Sequence, residues 1–321
     1  MDIKKELPGV RENVLLKSYT TFRIGGKARY FFVAKSKKDI IKAILVAKKF
    51  RLPFFILGGG SNILVSDRGF NGLVIRFQVS GFKFQKNKII AGAGTPLTSL
   101  VSGAAKNNLT GLEWAAGIPG TVGGAIAGNA GAFGKSMADV VKEVEITEIT
   151  RVGPVQIRKF KNKDCKFGYR DSIFKHNRSL IILSAVLQLK KGKKVEIKKK
   201  IKEYLNYRQK NQPLNYPSAG SIFKNYKLGI KKYELIKKFS ELKNFIKGGQ
   251  ISAGWLIEKC GLKGKKVGKA KISEKHANFI VNLGKAKAKD VKKLIDFTKK
   301  KVKKNFGITL EEEIQYLGFK K

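Results

Sequence analysis

Two stretches in the first third of the chain have apolar residues at helical spacing. Ser36 and Asp39 are placed as in a capping box, and the apolar residues of 40–47 recur every three or four positions. Thr95 and Pro96 can cap and start a second helix, which is expected to run to Ala105. Both patterns predict helices that pack one face on a core.

Short apolar runs predict buried strands. Each run is bounded by Pro, Gly or polar residues, and the runs cover 53–57, 73–75, 89–91 and 181–189. An alternating stretch that begins at Val144 predicts a further strand. This part of the chain is therefore expected to be a mixed α and β structure in which glycine-rich loops join short strands.

The chain changes character at Lys190. Eight lysines fall within 190–202, and Val195, Ile197, Ile201, Tyr204 and Leu205 still form an apolar stripe. This pattern predicts a solvated helix that leads into a new domain. Further along, the apolar positions of 291–302 predict an amphipathic helix, and those of 308–316 alternate as in a closing strand.

The formal net charge is +45, because 68 Lys and Arg outnumber 23 Asp and Glu. Such a charge suggests nucleic acid, an anionic membrane or a small anionic ligand as a partner. The lysines are spread from Lys4 to Lys321 without a basic tail, so a lysine-rich solvated surface is the competing interpretation. The 42% of hydrophobic residues is too much apolar material for a disordered polycation.

Composition limits the classes of protein further. A length of 321 residues suggests two or three domains. Two cysteines and two histidines are too few for a disulfide framework, a four-cysteine zinc site or a histidine-rich metal site, so no metal is expected. The N-terminus lacks the apolar run of a signal peptide, and the segment 114–133 holds Pro119 and six glycines, which disfavours a membrane span. We therefore expect a soluble cytoplasmic protein.

Two glycine-rich blocks are candidate ligand sites. The run Leu57-Gly-Gly-Gly-Ser-Asn62 follows a predicted strand and can present main-chain N–H groups to a pyrophosphate, although a plain surface turn is the alternative. The block 117–131 is rich enough in small residues for a flat cofactor ring to lie against main chain, or for two segments to cross tightly. Composition leaves this second choice open.

Two familiar nucleotide motifs nearly occur and fail. Gly92 and Gly94 follow a strand, but Leu97 stands where a dinucleotide-binding motif has its third glycine. Gly134 resembles the end of a Walker A loop, but Asn129 stands where that loop needs its first glycine.

Taken together, six segments resemble the UDP-N-acetylenolpyruvoylglucosamine reductase (UDP-N-acetylmuramate dehydrogenase, MurB) family. They occur in the order of the family and span almost the whole chain, and they cover 21–26, 57–65, 111–125, 169–174, 217–225 and 310–318. Only six residues separate Phe174 from the strand at Ile181, so the chain resembles the subtype that lacks the tyrosine loop.

The resemblance implies an α+β fold. It combines an FAD-binding fold of the vanillyl-alcohol-oxidase/PCMH type, with subdomains at 1–80 and 81–194, and a C-terminal α+β substrate domain at 195–321. It also implies bound FAD, NADPH as hydride donor, and reduction of the enolpyruvyl ether of UDP-N-acetylglucosamine enolpyruvate to UDP-N-acetylmuramate. This step belongs to peptidoglycan precursor synthesis, and so to cell-wall biogenesis, cell shape, the cell cycle and cell division. No nucleic acid, membrane span or obligate protein partner is expected.

The same resemblance assigns binding residues. Those expected to bind FAD are Arg23, Gly58, Gly59, Gly60, Ser61, Asn62, Ile63, Gly117, Pro119, Gly120, Thr121, Gly123, Gly124, Gly128 and Asn129. Those expected to bind substrate are Tyr169, Arg208, Lys224 and Asn225.

The implied chemistry needs three catalytic groups, and the resemblance assigns them to Arg170, Ser221 and Glu313. Hydride from flavin N5 adds to the terminal carbon, so negative charge develops on the adjacent carbon and spreads into the carboxylate. A guanidinium such as Arg170 pairs a carboxylate in bidentate fashion, and Ser221 can supply the proton if cations such as Lys224 lie nearby. Strand alternation places Glu311 and Glu313 on one side, so spacing alone leaves Glu311 as a competitor.

Two other classes compete with the reductase. An FAD oxidase of the same broad fold has no evident need for Ser221 and Glu313 in their motifs. A nucleic-acid-binding protein is motivated only by charge, which is spread and not striped.

Overall fold

A computed structural model describes residues 2–149, 156–229, 236–237, 239–240 and 246–319 of the protein. The chain divides into two compact units, each built from separate stretches of sequence. The first unit comprises 1–14, 28–59 and 71–208, and the second comprises 15–27, 60–70 and 209–321. The domain boundaries expected at residues 80 and 194 stay a prediction. Residues 226–250 are lysine-rich and are expected to be an expansion relative to the family pattern, and part of this segment lies outside the described residues.

A four-stranded sheet forms one part of the first unit. Its strands lie in the order Arg11–Leu15, Lys27–Ala34, Phe70–Phe77 and Phe54–Leu57, the last two being parallel. The helix Lys37–Lys49 begins at Ser36, whose hydroxyl accepts a hydrogen bond from the Asp39 N–H in a full capping box. This confirms the predicted helix start.

A five-stranded antiparallel sheet forms the other part. Its order is Gln156–Lys161, Val141–Glu148, Leu180–Gln188, Lys88–Gly92 and Phe82–Gln85. These strands confirm the runs predicted at 89–91, 181–189 and from Val144. Leu183, Ala185 and Leu187 in the central strand are fully buried, which explains its apolar sequence.

The helix after this sheet's Lys88–Gly92 strand starts differently from the prediction. It spans Leu97–Lys106, and Pro96 precedes it without a side-chain cap. The Thr95 hydroxyl donates instead to the carbonyl oxygen of Gly81 at 2.9 Å. Thr95 therefore holds a neighbouring turn, and the expectation that it caps the helix is wrong.

The lysine-rich helix spans Lys194–Asn211, and its buried face differs from the predicted stripe. Ile197 is buried and Ile201 and Tyr204 pack on the core, whereas Val195 is 78% exposed and Leu205 is 43% exposed. The buried face follows three- and four-residue steps from Ile197 to Arg208, because these steps keep side chains on one side of a helix.

Short elements connect the first unit's sheets. Its short helices and 3₁₀ turns are Ile3–Glu6, Glu113–Ala115, Val122–Ala127, Met137–Asp139, Asn162–Cys165 and Ile173–His176. Its two-residue strands are Leu109–Thr110, Gly131–Ala132, Lys135–Ser136 and Lys190–Lys191.

Among its described residues, the second unit has a four-stranded antiparallel sheet and two helices with defined bounds. The strands lie in the order Ser218–Ser221, Phe279–Asn282, Ala270–Ile272 and Lys266–Val267. The helices are Ala253–Lys259 and Ala288–Phe306, and smaller elements are Leu16–Tyr19, Tyr226–Lys227, Ile246–Lys247 and Gln250–Ile251. The core joins Leu256, Ile280, Val291, Leu294 and Ile295, which are fully buried or nearly so.

The closing strand is shorter than predicted. Only Gln315–Leu317 is a strand, and it pairs in parallel with Ile63–Val65. Residues 308–314 are not a regular strand, although Glu312 forms an isolated bridge with Phe223. Main-chain groups of this stretch form hydrogen bonds with residues far away in the sequence. The local alternation of apolar and polar residues cannot predict such contacts.

Within the described residues, no helix is both long enough and apolar enough to cross a membrane.

Candidate active site

In the first unit, Tyr169 and Arg170 form the tip of a tight turn. The N–H of Gly168 donates to the Asp171 carbonyl at 3.0 Å, and the N–H of Asp171 donates back to Gly168 at 3.2 Å. Arg170 takes the left-handed conformation, with φ of 54°. Since non-glycine residues rarely adopt this backbone, the turn fixes Arg170 at a cost in local conformational energy.

Hydrogen bonds hold both ends of Arg170. Its Nη2 donates to the Gly131 carbonyl at 2.7 Å, and the Lys175 ammonium donates to the Arg170 carbonyl at 2.9 Å. The guanidinium carbon also lies 5.3 Å from the centre of the Tyr169 ring. These contacts orient the guanidinium before any ligand arrives, which lowers the entropy lost on binding a carboxylate.

Asn129 ties the Arg170 turn to the glycine-rich block. Its Nδ2 donates to the Gly168 carbonyl at 2.7 Å, and its Oδ1 accepts from the Ala138 N–H at 3.0 Å. The side chain is 6% exposed. Both ends of its amide are therefore used inside the protein, and the contact with FAD expected for Asn129 stays a prediction.

Arg208 connects the lysine-rich helix to the chain at the start of the glycine-rich block by hydrogen bonds. Its Nε donates to the Ala116 carbonyl at 2.8 Å and its Nη2 to the Trp114 carbonyl at 3.2 Å. Burial lowers the pKa of Arg208, and the nearby positive charge of Arg170 lowers that pKa further. Arg208 thus fixes the chain just before Gly117 while adding positive charge near Arg170.

The structure shows where close packing requires glycine in or against the block 117–131, whereas a flat cofactor ring against this block stays a prediction. An added Cβ on Gly59 would lie 2.7 Å from the Gly120 Cα, and one on Gly123 would lie 2.8 Å from the Ala93 Cβ. These glycines are required by close packing of the chain. Gly124 and Gly128 leave more room, with the nearest atoms to an added Cβ at 3.6 and 3.5 Å.

The first unit therefore offers features that fit FAD. Gly58 and Gly59 directly follow the strand Phe54–Leu57, and among the described residues no turn or loop hydrogen bond joins their N–H groups to a main-chain carbonyl. Main-chain N–H groups in a glycine loop can donate hydrogen bonds to the oxygens of a pyrophosphate. In contrast, Val122 and Gly123 already donate to the carbonyls of Thr95 and Ala93, so the start of that short helix is satisfied internally.

In the second unit, the structure brings Ser221 and Glu313 together. The N–H of Glu313 donates to the Ile222 carbonyl at 2.8 Å, and the N–H of Lys224 donates to the Glu311 carbonyl at 2.9 Å. Ser221 ends the strand Ser218–Ser221 and is half-buried. The two segments therefore run side by side, and Glu313 lies opposite Ile222, the residue that follows the predicted acid Ser221.

The three consecutive glutamates have different surroundings. The Glu311 side chain is 72% exposed and pairs with the Lys224 ammonium. Glu312 accepts from Lys299 at 2.9 Å and its side chain is 16% exposed. Glu313 is half-buried beside Ser221's strand. This arrangement favours Glu313 over Glu311, because Glu311 is solvated and already paired with a cation.

Residues of the glycine loop also reach Glu313. The Asn62 Nδ2 donates to the Glu313 carbonyl at 3.1 Å, and the Gln315 N–H donates to the Asn62 carbonyl at 3.0 Å. The Thr21 hydroxyl donates to the Ser218 carbonyl at 2.7 Å, and the Thr21 N–H to Gly60 at 3.1 Å. Asn62, predicted to bind FAD, is therefore also a support for Glu313.

Three further predicted residues of this unit have different surroundings: two make structural contacts and one lines a cleft. The Asn225 Oδ1 accepts from the Ala253 N–H at 3.2 Å, where a helix begins. Ile63 is buried in the parallel strand pair. Arg23 has φ of 54° and lines a cleft of about 840 Å³ with Lys17, Tyr216 and Lys285. Their ligand contacts stay predictions.

Sequence reasoning missed Asn278. Its Oδ1 accepts from the Phe223 N–H at 2.9 Å, and its Nδ2 donates to the Phe223 carbonyl at 2.8 Å. Asn278 is 4% exposed. The available signal was a lone asparagine between apolar Ala277 and Phe279, because a buried polar side chain needs partners.

Comparison with known proteins adds two matches. Residues 212–317 match UDP-N-acetylenolpyruvoylglucosamine reductase, C-terminal domain, and residues 28–150 match the FAD binding domain. The UDP-N-acetylenolpyruvoylglucosamine reductase of Caldicellulosiruptor bescii is 42% identical over 306 residues, which cover 94% of this chain and 89% of that protein. The chain belongs to the UDP-N-acetylenolpyruvoylglucosamine reductase family. The resemblance to this family and the FAD-binding fold predicted from the sequence are thereby confirmed, whereas the subtype without the tyrosine loop stays a prediction.

Two further members of the UDP-N-acetylenolpyruvoylglucosamine reductase family agree over most of their length. The protein of Caldanaerobacter subterraneus subsp. tengcongensis is 40% identical, over 96% of this chain and 93% of that protein. The crystal structure of the reductase from Thermus caldophilus has a TM-score of 0.75 and 35% identity, and covers 96% of this chain and 99% of that one.

Proposed function

We propose that this protein reduces the enolpyruvyl ether of UDP-N-acetylglucosamine enolpyruvate to UDP-N-acetylmuramate. NADPH is the proposed hydride donor, and Ser221 is the proposed source of the proton. The family and its FAD binding domain make the protein an FAD-containing oxidoreductase of peptidoglycan precursor synthesis.

FAD would be held by the glycine loop and the glycine-rich block. The N–H groups of Gly58 and Gly59 suit its pyrophosphate, and the room beside Gly124 and Gly128 suits a flat ring. When bound there, FAD would supply the two-electron chemistry of the reduction, with NADPH as the source of the hydride.

The main-chain contact between Glu313 and Ile222, the residue that follows Ser221, is the observation that carries the proposal. Negative charge that develops on the carbon next to the substrate carboxylate needs a proton from a fixed donor. Ser221 ends a strand whose neighbour, Ile222, is hydrogen-bonded to the Glu313 main chain at 2.8 Å. The Ser221 Oγ gives its proton to that carbon, and Glu313 assists at the same position.

Arg170 has the complementary role. Its guanidinium is fixed by the Gly131 carbonyl and by the turn that carries it. A planar guanidinium binds a carboxylate through two parallel hydrogen bonds and keeps its charge at any physiological pH. Arg170 therefore binds the carboxylate of the substrate and stabilises the charge that spreads into it.

The remaining features of the protein fit small anionic ligands. We infer that it works in the cytoplasm on NADPH and the sugar nucleotide, without nucleic acid or an obligate protein partner. Its charge of +45 raises the local concentration of such anions at low salt, an effect that salt screens.

Absorbance of the purified protein tests this function. A flavin spectrum is expected, and NADPH added without air should bleach it. The enolpyruvyl sugar nucleotide should then restore the colour rapidly, whereas oxygen should restore it slowly. A protein that cannot be loaded with FAD, or one that oxygen reoxidises faster than the sugar nucleotide does, contradicts the proposal; the second result is the one expected of an oxidase.

A further inference from the structure

Three aromatic side chains cluster in the first unit near Arg170 and Arg208. The rings of Phe133 and Tyr204 stack, with their centres 4.1 Å apart and their planes 17° from parallel. The Tyr207 ring meets Phe133 edge to face, at 5.3 Å and 81°. Tyr207 is 55% exposed and Phe133 is 40% exposed. Large aromatic side chains are costly to leave in water, so an exposed, ordered group of them points to a ligand.

The backbone of Phe133 supports this interpretation. Phe133 and Gly134 are the two residues between the paired strands Gly131–Ala132 and Lys135–Ser136, and their φ values are 53° and 75°. Such hairpin turns favour Asn or Gly, since both central residues need positive φ. A phenylalanine strained in this way is characteristic of functional positions.

Positive charge lies beside the cluster. The guanidinium carbon of Arg208 is 5.4 Å from the centre of the Phe133 ring. The Arg170 Nη2 bonds the carbonyl of Gly131 in the same hairpin, at 2.7 Å. The helix that carries Tyr204 and Tyr207 has six lysines and two glutamates. A flat apolar surface flanked by cations is complementary to a planar heterocycle that is joined to a diphosphate.

We propose that Tyr207, braced by Phe133 and Tyr204, is a stacking platform for the base of a bound nucleotide whose diphosphate is attracted by Arg208 and the lysine-rich helix. This inference rests on the proposed function, which supplies two ligands of this chemistry, NADPH and the uridine-containing sugar nucleotide. The exposed Tyr207 ring provides the contact face, and its fixed neighbours limit the entropy lost on stacking.

Titration calorimetry on the FAD-loaded protein tests the platform. The ligands are UDP, NADP⁺ and inorganic pyrophosphate, and the variants are Tyr207→Leu, which removes the ring, and Tyr207→Phe, which keeps it. We expect Tyr207→Leu to raise the Kd of UDP or of NADP⁺ about 5- to 100-fold. The Tyr207→Phe variant should stay close to the wild-type Kd, and pyrophosphate should bind both variants like the wild type. The nucleotide whose binding is weakened by Tyr207→Leu is the one whose base stacks on Tyr207.

A matched control is Val195→Ala, which removes an apolar side chain that is 78% exposed near the start of the same helix. It should leave the Kd of all three ligands unchanged. The platform proposal is overturned if Tyr207→Leu binds both nucleotides with the wild-type Kd. It is also overturned if this variant binds pyrophosphate as much more weakly as it binds the nucleotides. A wild-type protein that binds UDP but fails the flavin absorbance test instead overturns the proposed function, so the two failures are distinguishable.

Discussion

Asn278 and Phe223 exchange two hydrogen bonds in the second unit. The Phe223 N–H donates to the Asn278 Oδ1 at 2.9 Å, and the Asn278 Nδ2 donates to the Phe223 carbonyl at 2.8 Å. The main-chain carbonyl of Asn278 also accepts from the Ile222 N–H at 2.8 Å. Asn278 therefore holds the segment directly after Ser221 in place.

Replacing Asn278 tests this positioning. Asn278→Ala removes the hydrogen-bond partners of the Phe223 N–H and carbonyl. Phe223 is only 2% exposed, so water cannot replace these partners. Each unpaired buried group costs about 1–3 kcal/mol, so the loss of two partners should lower the free energy of unfolding by roughly 2–6 kcal/mol. Denaturant titration of the FAD-loaded protein measures the change.

Asn305→Ala is the control, because Asn305 is exposed and its amide donates a weak hydrogen bond to the Cys260 sulfur at 3.5 Å. A change of less than about 0.5 kcal/mol is expected there. Equal effects of the two substitutions would remove the positioning role of Asn278.

Arg208→Lys keeps a positive charge but cannot bond the Ala116 and Trp114 carbonyls in the same fork. The chain before Gly117 should loosen, and the Kd of FAD should rise about tenfold, since a hydrogen bond from a charged group contributes about 1.5–3 kcal/mol. Equilibrium dialysis of FAD measures this.

Lys210→Ala is the matched control, because it removes an exposed charge from the same helix. If Lys210→Ala weakens FAD binding as much as Arg208→Lys does, the effect comes from the positive charge of the helix and not from the hydrogen bonds of Arg208 to the two carbonyls.

Neutralising each competing glutamate decides between them. Glu313→Gln should slow reoxidation of the reduced protein by the enolpyruvyl sugar nucleotide by about 100-fold or more, the range of general acid–base effects. Glu311→Gln should leave that rate within about twofold of the wild-type rate, because Glu311 is solvated and faces Lys224. Stopped-flow absorbance measures both rates, and the reverse pattern would assign the role to Glu311.

His276 makes stability depend on pH. Burial lowers the pKa of His276 below its ordinary value of 6.5. Its Nδ1 also accepts from the Asn278 N–H at 3.2 Å, which favours the neutral ring. As the pH falls below about 6.5, the unfolded chain takes up a proton that the folded protein resists, so stability is lost towards acid by up to about 1.4 kcal/mol per pH unit.

His276→Gln keeps an acceptor but cannot titrate in this range. Its free energy of unfolding between pH 5 and pH 7 should therefore depend less steeply on pH than that of the wild type. Denaturation curves at several pH values measure both slopes. Equal slopes for the two proteins would mean that His276 does not cause the dependence of stability on pH.

Local signals in the sequence predicted much of the fold. The capping box at Ser36 and Asp39 and the apolar strand runs depend on neighbouring residues, so they can be read directly. Thr95 and the segment 308–314 were predicted wrongly because distant residues decide them. Thr95 bonds Gly81, and Glu313 bonds Ile222, contacts that no local pattern encodes.

The candidate site shows the same division. Residue type and motif order identified the family, and the match over most of the chain confirms it. The support of Arg170 by Gly131 and of Phe223 by Asn278 joins residues 39 and 55 positions apart. Glycine composition could not separate close packing at Gly59 from open space at Gly124, since the difference lies in which chain segment passes nearby.

The most direct test of the account is the pair of half-reactions of Ser221→Ala, followed by stopped-flow absorbance. The matched control is Ser218→Ala, three residues earlier on the same strand. We predict that NADPH bleaches the flavin of Ser221→Ala at close to the wild-type rate, while reoxidation by the enolpyruvyl sugar nucleotide slows by about 100-fold or more. Ser218→Ala should retain both rates. Equal losses in the two half-reactions of Ser221→Ala, or no loss in either, would contradict the claim that Ser221 supplies the proton.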